Sequence, residues 1–120
     1  MSTPAPTEIV LHDKSQVLEI SFADGKTFRL PSEFLRVHSP SAEVRGHGPG
    51  QEVLQVGKQD VKIAAIEPVG QYAIQLRFSD GHDTGIYSWD LLYHYGERQD
   101  VMWQQYLNRL RESGASRTAT

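Results

Sequence analysis

The chain has 120 residues, a formal net charge of −3 and no cysteine. This length fits a single domain that buries one hydrophobic core. The lack of cysteine excludes disulfides, thiolate zinc sites and cysteine-ligated iron–sulfur clusters within this chain alone. The lysines and arginines are scattered, which argues against bulk nucleic-acid binding because that function needs a basic surface.

The start of the chain, MSTPAPTEIV, lacks the basic segment and the long apolar stretch of an export signal. Together with the absence of cysteine, this start favours a cytoplasmic protein, and no apolar run reaches membrane-spanning length. Residues 1–7 are expected to be flexible and residues 8–111 to form the folded domain. Residues 112–120 are mostly small and polar, so we expect them to be disordered.

Two alternating apolar runs near the start predict paired strands. They cover residues 8–12 and 17–22, with residues 13–16 as the hairpin connection. Asp24 and Gly25 then predict a second hairpin, because these residue types tolerate the positive φ angles of tight turns. The first part of the chain is therefore predicted to be an antiparallel sheet.

A short helical turn and a long irregular segment follow this hairpin. Pro31 ends the strand, and Ser32 is predicted to cap a helical turn that extends to Leu35. Residues 36–51 read RVHSPSAEVRGHGPGQ, without apolar periodicity and rich in glycine and proline. A loop of this length in a compact domain is typical of either a functional or a flexible segment.

The second part of the chain repeats this order of elements. Strands are predicted at residues 62–67 and 72–78, followed by a second Asp–Gly turn and a helix capped by Ser88. Gly96 is predicted to end that helix, and Asp100 to begin a last, amphipathic helix.

An internal repeat relates the two parts. Residues 21–35 (SFADGKTFRLPSEFL) align without a gap with residues 77–91 (RFSDGHDTGIYSWDL). Both copies contain a strand end, an Asp–Gly turn, a short exit strand and a serine before a helix. The sequence therefore predicts an α+β domain with antiparallel strands in two quasi-repeated hairpin-plus-helix units and a C-terminal helix packed on one face.

The repeat assigns structural roles to residues that look catalytic. Asp24 and Asp80 suggest a carboxylate pair, but each lies beside glycine in a turn, where aspartate favours the local backbone geometry. Ser32 and Ser88 occupy helix-cap positions without a nearby base or a nucleophile-elbow sequence. We therefore predict that the chain is not an enzyme.

Two segments carry a family resemblance, LRVHSPSAEVRGHG at residues 35–48 and FSDGHDTGIYSWDLLYHYG at residues 78–96. They resemble small bacterial proteins of the gamma-butyrobetaine hydroxylase-like N-terminal domain family, and the resemblance covers about residues 8–110. Related domains precede the catalytic domain of carnitine-pathway dioxygenases and are appended to some ATPases that carry iron–sulfur clusters. The resemblance implies no hydroxylase activity here, because the iron- and 2-oxoglutarate-binding residues of those enzymes lie in a separate domain.

The resemblance also implies a metal site from which this chain departs. In the dioxygenases, three cysteines of the long loop and one histidine of the second hairpin hold a zinc ion. The cysteines correspond approximately to Ser39, Ser41 and Val44, and the histidine corresponds to His82. Only the histidine is retained, and serine and valine do not replace thiolates as zinc ligands.

The first functional hypothesis is a non-catalytic binding or adaptor domain with a protein partner. By resemblance to the fused relatives, that partner takes part in iron–sulfur or other metal-cluster handling. The binding surface is the loop with the hairpin tip around His82, where the loop arginines suit an acidic peptide or a small carboxylate. Alternatively, the serine and glutamate side chains only satisfy the backbone of the loop. The candidate binding residues are Arg36, His38, Ser39, Ser41, Glu43, Arg45 and His47.

The second hypothesis is a transition-metal-binding domain. His82 would bind the metal with His38 and His47, and Glu43 is a further ligand candidate. Imidazole and carboxylate suit zinc, nickel or iron. These residues lack a short-spaced ligand motif, and under the first hypothesis no cofactor is expected.

Overall fold

Two three-stranded antiparallel sheets form the frame of the domain in the computed structural model, which describes residues 3–46, 48 and 50–118. The first sheet has the order β1 (Pro6–His12), β2 (Val17–Phe22) and β3 (Thr27–Pro31). The second has the order β4 (Ile63–Val69), β5 (Ala73–Phe78) and β6 (Ile86–Ser88). All neighbouring strands are antiparallel, which confirms the predicted α+β architecture of two similar units.

The helices follow the sheets. They are α1 (Ser32–Val37) after the first sheet, α2 (Ala42–Arg45) within the loop and α3 (Trp89–Glu112) after the second sheet. The helix α3 contacts both β3 and β6, so it connects the two units. In the part of the chain that the structure describes, no helix combines the length and the apolar character needed to cross a bilayer.

Strand alternation directs one face of each sheet into a common core. In β2, Leu18, Ile20 and Phe22 are buried, and the residues between them are only partly covered. The same alternation in β5 buries Ile74, Leu76 and Phe78, and α3 adds Leu92 and Tyr95. Tyr72, the first residue of the strand predicted at residues 72–78, precedes β5 and is 60% exposed.

The two Asp–Gly turns have nearly the same backbone geometry. Their glycines have φ angles of +89° and +91°. In each turn, the aspartate Oδ1 accepts the backbone N–H two residues later. Asp24 accepts from Lys26 at 3.0 Å, and Asp80 accepts from His82 at 3.2 Å. Both aspartates therefore stabilise their own turns, as the repeat predicts.

The prediction of two helices after β6 is wrong. The helix α3 runs through Gly96 and Asp100 without interruption. Gly96 permits close packing instead of ending a helix, because a Cβ at this position would overlap the ring of Phe28. The helix propensity of the flanking residues and this tertiary contact together outweigh the local stop signal.

The predicted cap of α1 is also wrong. Pro31 is the N-cap, and Ser32 is the first helical residue. Ser32 Oγ donates to the carbonyl of Val61 at 2.8 Å, which attaches α1 to the chain just before β4. Ser88, in contrast, accepts the N–H of Leu91 at 3.1 Å and caps α3 as predicted.

The irregular segment predicted at residues 36–51 is more ordered than its composition indicates. Its first two residues belong to α1, and four further residues form α2. Ser41 Oγ caps α2 by accepting the N–H of Glu43 at 3.2 Å.

Both ends of the described chain are held by backbone hydrogen bonds. The N–H of Ala23 donates to the carbonyl of Ala5 at 2.9 Å, and β1 begins at Pro6, within the segment predicted to be flexible. Residues 113–118, for which the sequence predicts disorder, lie alongside residues 57–59. The remaining residues of the two predicted flexible ends, 1, 2, 119 and 120, lie outside the described residues.

Candidate functional site

A partly buried ion pair attaches the end of α1 to the second Asp–Gly turn. Arg36 Nε donates to Asp80 Oδ2 at 2.8 Å, and Lys58 Nζ donates to the same oxygen at 2.8 Å. Arg36 Nη1 also donates to Gln55 Oε1 at 3.0 Å. With its side chain 7% exposed, Arg36 is engaged inside the domain and is not presented to a ligand.

The environment of Asp80 keeps its carboxyl ionised. Burial by itself would raise the pKa of this carboxyl. Hydrogen bonds from Lys58, from the N–H of His82 and from Arg36 outweigh burial and lower the pKa to about 2. The carboxylate therefore organises α1, the segment before β4 and its own turn around one negative charge.

His82 connects this turn to the loop through both ring nitrogens. Nε2 lies 2.7 Å from Ser39 Oγ, and Nδ1 lies 3.2 Å from Glu43 Oε2. The carboxylate only accepts hydrogen bonds, so its contact assigns the proton to Nδ1 and leaves Nε2 to accept from the serine hydroxyl. Burial, reinforced by Arg36, lowers the pKa of His82 against the opposing effects of Glu43 and Asp80. The imidazole is therefore neutral at pH 7.

Ser39, His82 and Glu43 have the connectivity of the serine–histidine–acid arrangement of hydrolases. Sequence reasoning missed it because the two hydrogen bonds span 43 and 39 positions of the chain. Ser39, however, is 1% exposed, and the N–H of Ser41 donates to its Oγ at 3.3 Å. A Cβ at Gly85 would overlap the same hydroxyl. A substrate therefore cannot reach the serine hydroxyl. The three residues instead connect the loop to the second hairpin.

Two further hydrogen bonds hold the loop residues that the sequence singles out. Ser41 Oγ lies 2.6 Å from Thr84 Oγ1. Tyr95 OH donates to the carbonyl of His38 at 2.6 Å. Residues from the second unit thus immobilise the first half of the predicted binding loop.

The donor set at the position where the resemblance implies a zinc site does not fit zinc. Ser39 and Ser41 offer hydroxyl groups that are already hydrogen-bonded, and Val44 offers no donor. All three residues and His82 are buried, so the segments for which the resemblance implies a zinc site are present here with the histidine and without the thiolate ligands.

The histidine-rich alternative is only partly described by the structure. His38 Nδ1 lies 2.9 Å from the carbonyl of Phe34, and burial lowers the pKa of His38. In the residues with described positions, no three histidine, aspartate or glutamate side chains cluster as a metal site. His47 lies outside the described residues, so a site formed by His38, His47 and His82 stays a prediction.

A cleft of about 210 Å³ opens between the loop and α3. Tyr95 and Tyr106 form its aromatic wall, and Val53, which is 53% exposed, lines it as well. Two exposed arginines, Arg45 and Arg109, also line the cleft. The sequence indicates the helical face that carries the tyrosines, but it does not indicate that this face lies next to the loop.

The cleft is lined by two arginines and one glutamate, Arg45, Arg109 and Glu52, so its arginines are in excess. Burial raises the pKa of Tyr95, with Arg45 opposing the rise. Burial likewise raises the pKa of Tyr106 to about 12. Both tyrosines are therefore neutral at pH 7. Among the carboxylates of the described residues, none forms an ion pair with Arg45 or Arg109, although Glu52 lines the same cleft.

The two three-stranded sheets and the contacts of the second hairpin with the loop can now be compared with known proteins. The family model described as gamma-butyrobetaine hydroxylase-like, N-terminal, matches residues 9–93. The chain belongs to this family. The predicted family membership is confirmed, and this gamma-butyrobetaine hydroxylase-like N-terminal domain has no cysteine that could supply a thiolate ligand.

Solved structures are similar to this domain along most of its length. A protein determined by NMR in solution is 47% identical with a TM-score of 0.84, covering 97% of this chain and 91% of its own. A second NMR structure is 53% identical with a TM-score of 0.83, and the match covers 97% of this chain and 86% of the other. A crystal structure from Acidithiobacillus ferrooxidans, described as a DUF971 family protein of unknown function, is 43% identical with a TM-score of 0.63, covering 76% and 93%. The comparison with curated proteins gives no significant match.

Proposed function

We propose that this domain is a non-catalytic protein-binding module whose partner presents an acidic segment to the cleft between the loop and α3. The observation that carries the proposal is the pair of exposed arginines, Arg45 and Arg109, beside an aromatic wall. Arginine forms bidentate, charge-assisted hydrogen bonds with carboxylates. The aromatic wall suits an apolar side chain of the same segment.

The dimensions of the cleft favour a peptide segment over a cofactor. Pockets that enclose a drug-sized ligand have volumes of roughly 300–1,000 Å³. The cleft measures about 210 Å³, which accommodates a few side chains of an extended chain. A partner of this kind would extend beyond the cleft onto the neighbouring surface.

The exposed part of the predicted binding loop supports this location. Glu43, with its side chain 65% exposed, and Arg45 face solvent. Arg36, Ser39 and Ser41 are engaged inside the domain instead. The proposed surface is therefore narrower on the loop than the sequence indicates, and it includes α3.

The same contacts support a non-catalytic role. The turn aspartates accept backbone hydrogen bonds, and the hydroxyl of Ser39 is shielded from solvent. The resemblance to domains fused to iron–sulfur ATPases suggests that the cytoplasmic partner handles iron–sulfur or other metal clusters. This partner class rests on the resemblance.

Affinity purification with charge-reversal variants tests the proposal. The Arg45→Glu/Arg109→Glu variant is compared with the wild type and with Arg77→Glu/Arg98→Glu, which changes the net charge equally at exposed positions outside the cleft. We expect a partner with an acidic segment whose recovery falls at least tenfold with the cleft variant and is retained by the control. Equal recovery by all three chains, or no reproducible partner, would contradict the proposal.

A further inference from the structure

Arg117 lies in a site with the features of a guanidinium receptor. Its Nε and Nη2 donate to Glu33 Oε2 and Oε1 at 2.9 and 2.7 Å. The centre of the guanidinium also lies 5.3 Å from the centre of the Trp103 ring. A bidentate carboxylate with an aromatic face selects arginine over lysine, whose ammonium is a point charge without a planar fork.

The carboxylate of this site is held by the fold. Glu33 belongs to α1 and is 7% exposed, whereas the Arg117 side chain is 38% exposed. A buried carboxylate without a cation is unfavourable, so Glu33 requires a cationic partner. Of the two side chains, the more exposed Arg117 is therefore the one that can leave the contact.

Main-chain contacts position the segment that carries the arginine. The N–H of Gly57 donates to the carbonyl of Ser116 at 2.9 Å, and the N–H of Gln59 donates to the carbonyl of Arg117 at 3.0 Å. The other residues of the segment are small, and Ala115 packs beside a minor apolar cluster. Recognition through the main chain with one specific side chain is typical of sites that bind extended peptides.

A cleft of about 220 Å³ adjoins this contact. It is lined by Phe34, Trp103 and Arg117, and by the carboxylates of Glu33 and Asp100. The cleft leaves space beside the bound arginine, and its second carboxylate suits a further basic residue. It shares no lining residue with the cleft between the loop and α3.

We propose that Glu33, Trp103 and the amides of Gly57 and Gln59 form a receptor for an extended, arginine-bearing peptide, which the chain occupies with its own residues 113–118. The tether to α3 gives this segment an effective concentration in the millimolar range. A free peptide therefore binds the intact chain more weakly than a chain without the internal arginine, and a partner's arginine-bearing segment displaces the internal one only when its own affinity overcomes this competition. The proposal is independent of the acidic segment proposed for the other cleft.

The test is an NMR titration of the full chain with the capped hexapeptide SGASRT, the sequence of residues 113–118. Binding is followed by the amide signals of Gly57 and Gln59 and by the indole signal of Trp103, up to millimolar peptide. We expect Arg117→Ala to bind the peptide at least tenfold more tightly than the wild type, whose own segment competes. A peptide with lysine in place of arginine should bind several-fold more weakly because the bidentate contact is lost.

Variants of the receptor provide the controls. In the Arg117→Ala background, Glu33→Gln should abolish binding and Glu52→Gln, a carboxylate change in the other cleft, should preserve it. If Glu33→Gln does not fold, Trp103→Leu provides the same test of the site. Equal binding by the wild type and Arg117→Ala, no binding by Arg117→Ala, or equal binding of the lysine peptide would each overturn the proposal.

Discussion

Arg36 and Asp80 lie 44 positions apart in the chain and form an ion pair that joins the two repeated units, with Nε and Oδ2 2.8 Å apart. The equivalent aspartate of the first unit, Asp24, uses Oδ2 to accept from Tyr93 OH at 2.6 Å. Each turn aspartate thus gives one oxygen to its own turn and the other to the helix that follows the opposite unit. The repeat produces reciprocal links between the units.

The two reciprocal links differ in burial, so their removal should differ in effect. Asp80→Ala leaves the buried guanidinium of Arg36 without its carboxylate, and we expect it to lower the free energy of unfolding by about 3 kcal/mol. Asp24→Ala, at an exposed turn, should cause a markedly smaller loss. Urea unfolding of both variants measures the difference. Equal losses would contradict the unequal roles assigned to the two aspartates.

Asp80 should also make the free energy of unfolding depend on pH in the acidic range. Its folded pKa of about 2 lies below the ordinary value of 3.8, so ionisation stabilises the folded state. This contribution is fully present above about pH 4 and is lost as the pH falls through 2. Unfolding free energies at pH 7 and pH 3 should therefore differ less in Asp80→Asn than in the wild type, with the exposed Asp90→Asn as control. Parallel pH profiles for all three chains would be inconsistent with this role.

Ser39 should matter for stability and not for catalysis. Because its hydroxyl is buried against His82, Ser39→Ala should lower the free energy of unfolding by about 1 to 2 kcal/mol. A double-mutant cycle with His82→Ala should show coupling of about 1 kcal/mol. Hydrolysis of an activated ester such as p-nitrophenyl acetate should be the same for the wild type and Ser39→Ala. A Ser39-dependent rate would show that the three-residue arrangement is an active site.

The departure from the zinc ligands that the resemblance implies predicts purified protein without stoichiometric metal. Ser39, Ser41 and Val44 do not replace thiolates, and His82 is already engaged by the loop. Elemental analysis and thermal melts with zinc, nickel or ferrous ion provide the measurement. One equivalent of metal that is lost in His82→Ala would instead support the histidine-rich site.

The packing of Phe28 on α3 makes a prediction about Gly96. Gly96→Ala should destabilise the domain by about 1 to 3 kcal/mol, because the added Cβ overlaps the Phe28 ring, although alanine is the better helix former. Thermal unfolding measures the loss. Phe28→Leu should reduce the effect of Gly96→Ala, and full additivity of the two changes would indicate that the contact is not the reason for glycine.

The parts of the fold that depend on local chemistry could be predicted from the sequence. The Asp–Gly turns, the alternation in β2 and the cap at Ser88 are encoded within a few residues. The continuity of α3 could not be predicted, because the reason for Gly96 is a ring from the first unit. The internal repeat contained an unused signal, since equivalent turns are expected to make equivalent contacts with helices.

The candidate site depends on contacts between distant positions, which periodicity does not reveal. The sequence identified Arg36 and Ser39 as exposed ligand-binding candidates, and the structure engages both with the second hairpin. Likewise, the contact of Arg117 with Glu33 spans 84 positions, and nothing in the small, polar composition of its segment indicates it. Of the candidate binding residues that the structure describes, Glu43 and Arg45 are exposed.

Photo-crosslinking in cells tests the proposed binding surface most directly. A photoreactive amino acid at position 53, in the cleft, is compared with one at position 72, which is similarly exposed outside the cleft. We expect a specific crosslinked partner from position 53 that is absent from position 72 and is lost in Arg45→Glu/Arg109→Glu. Crosslinks from position 72 alone, or crosslinks from position 53 that survive the charge reversal, would contradict this expectation.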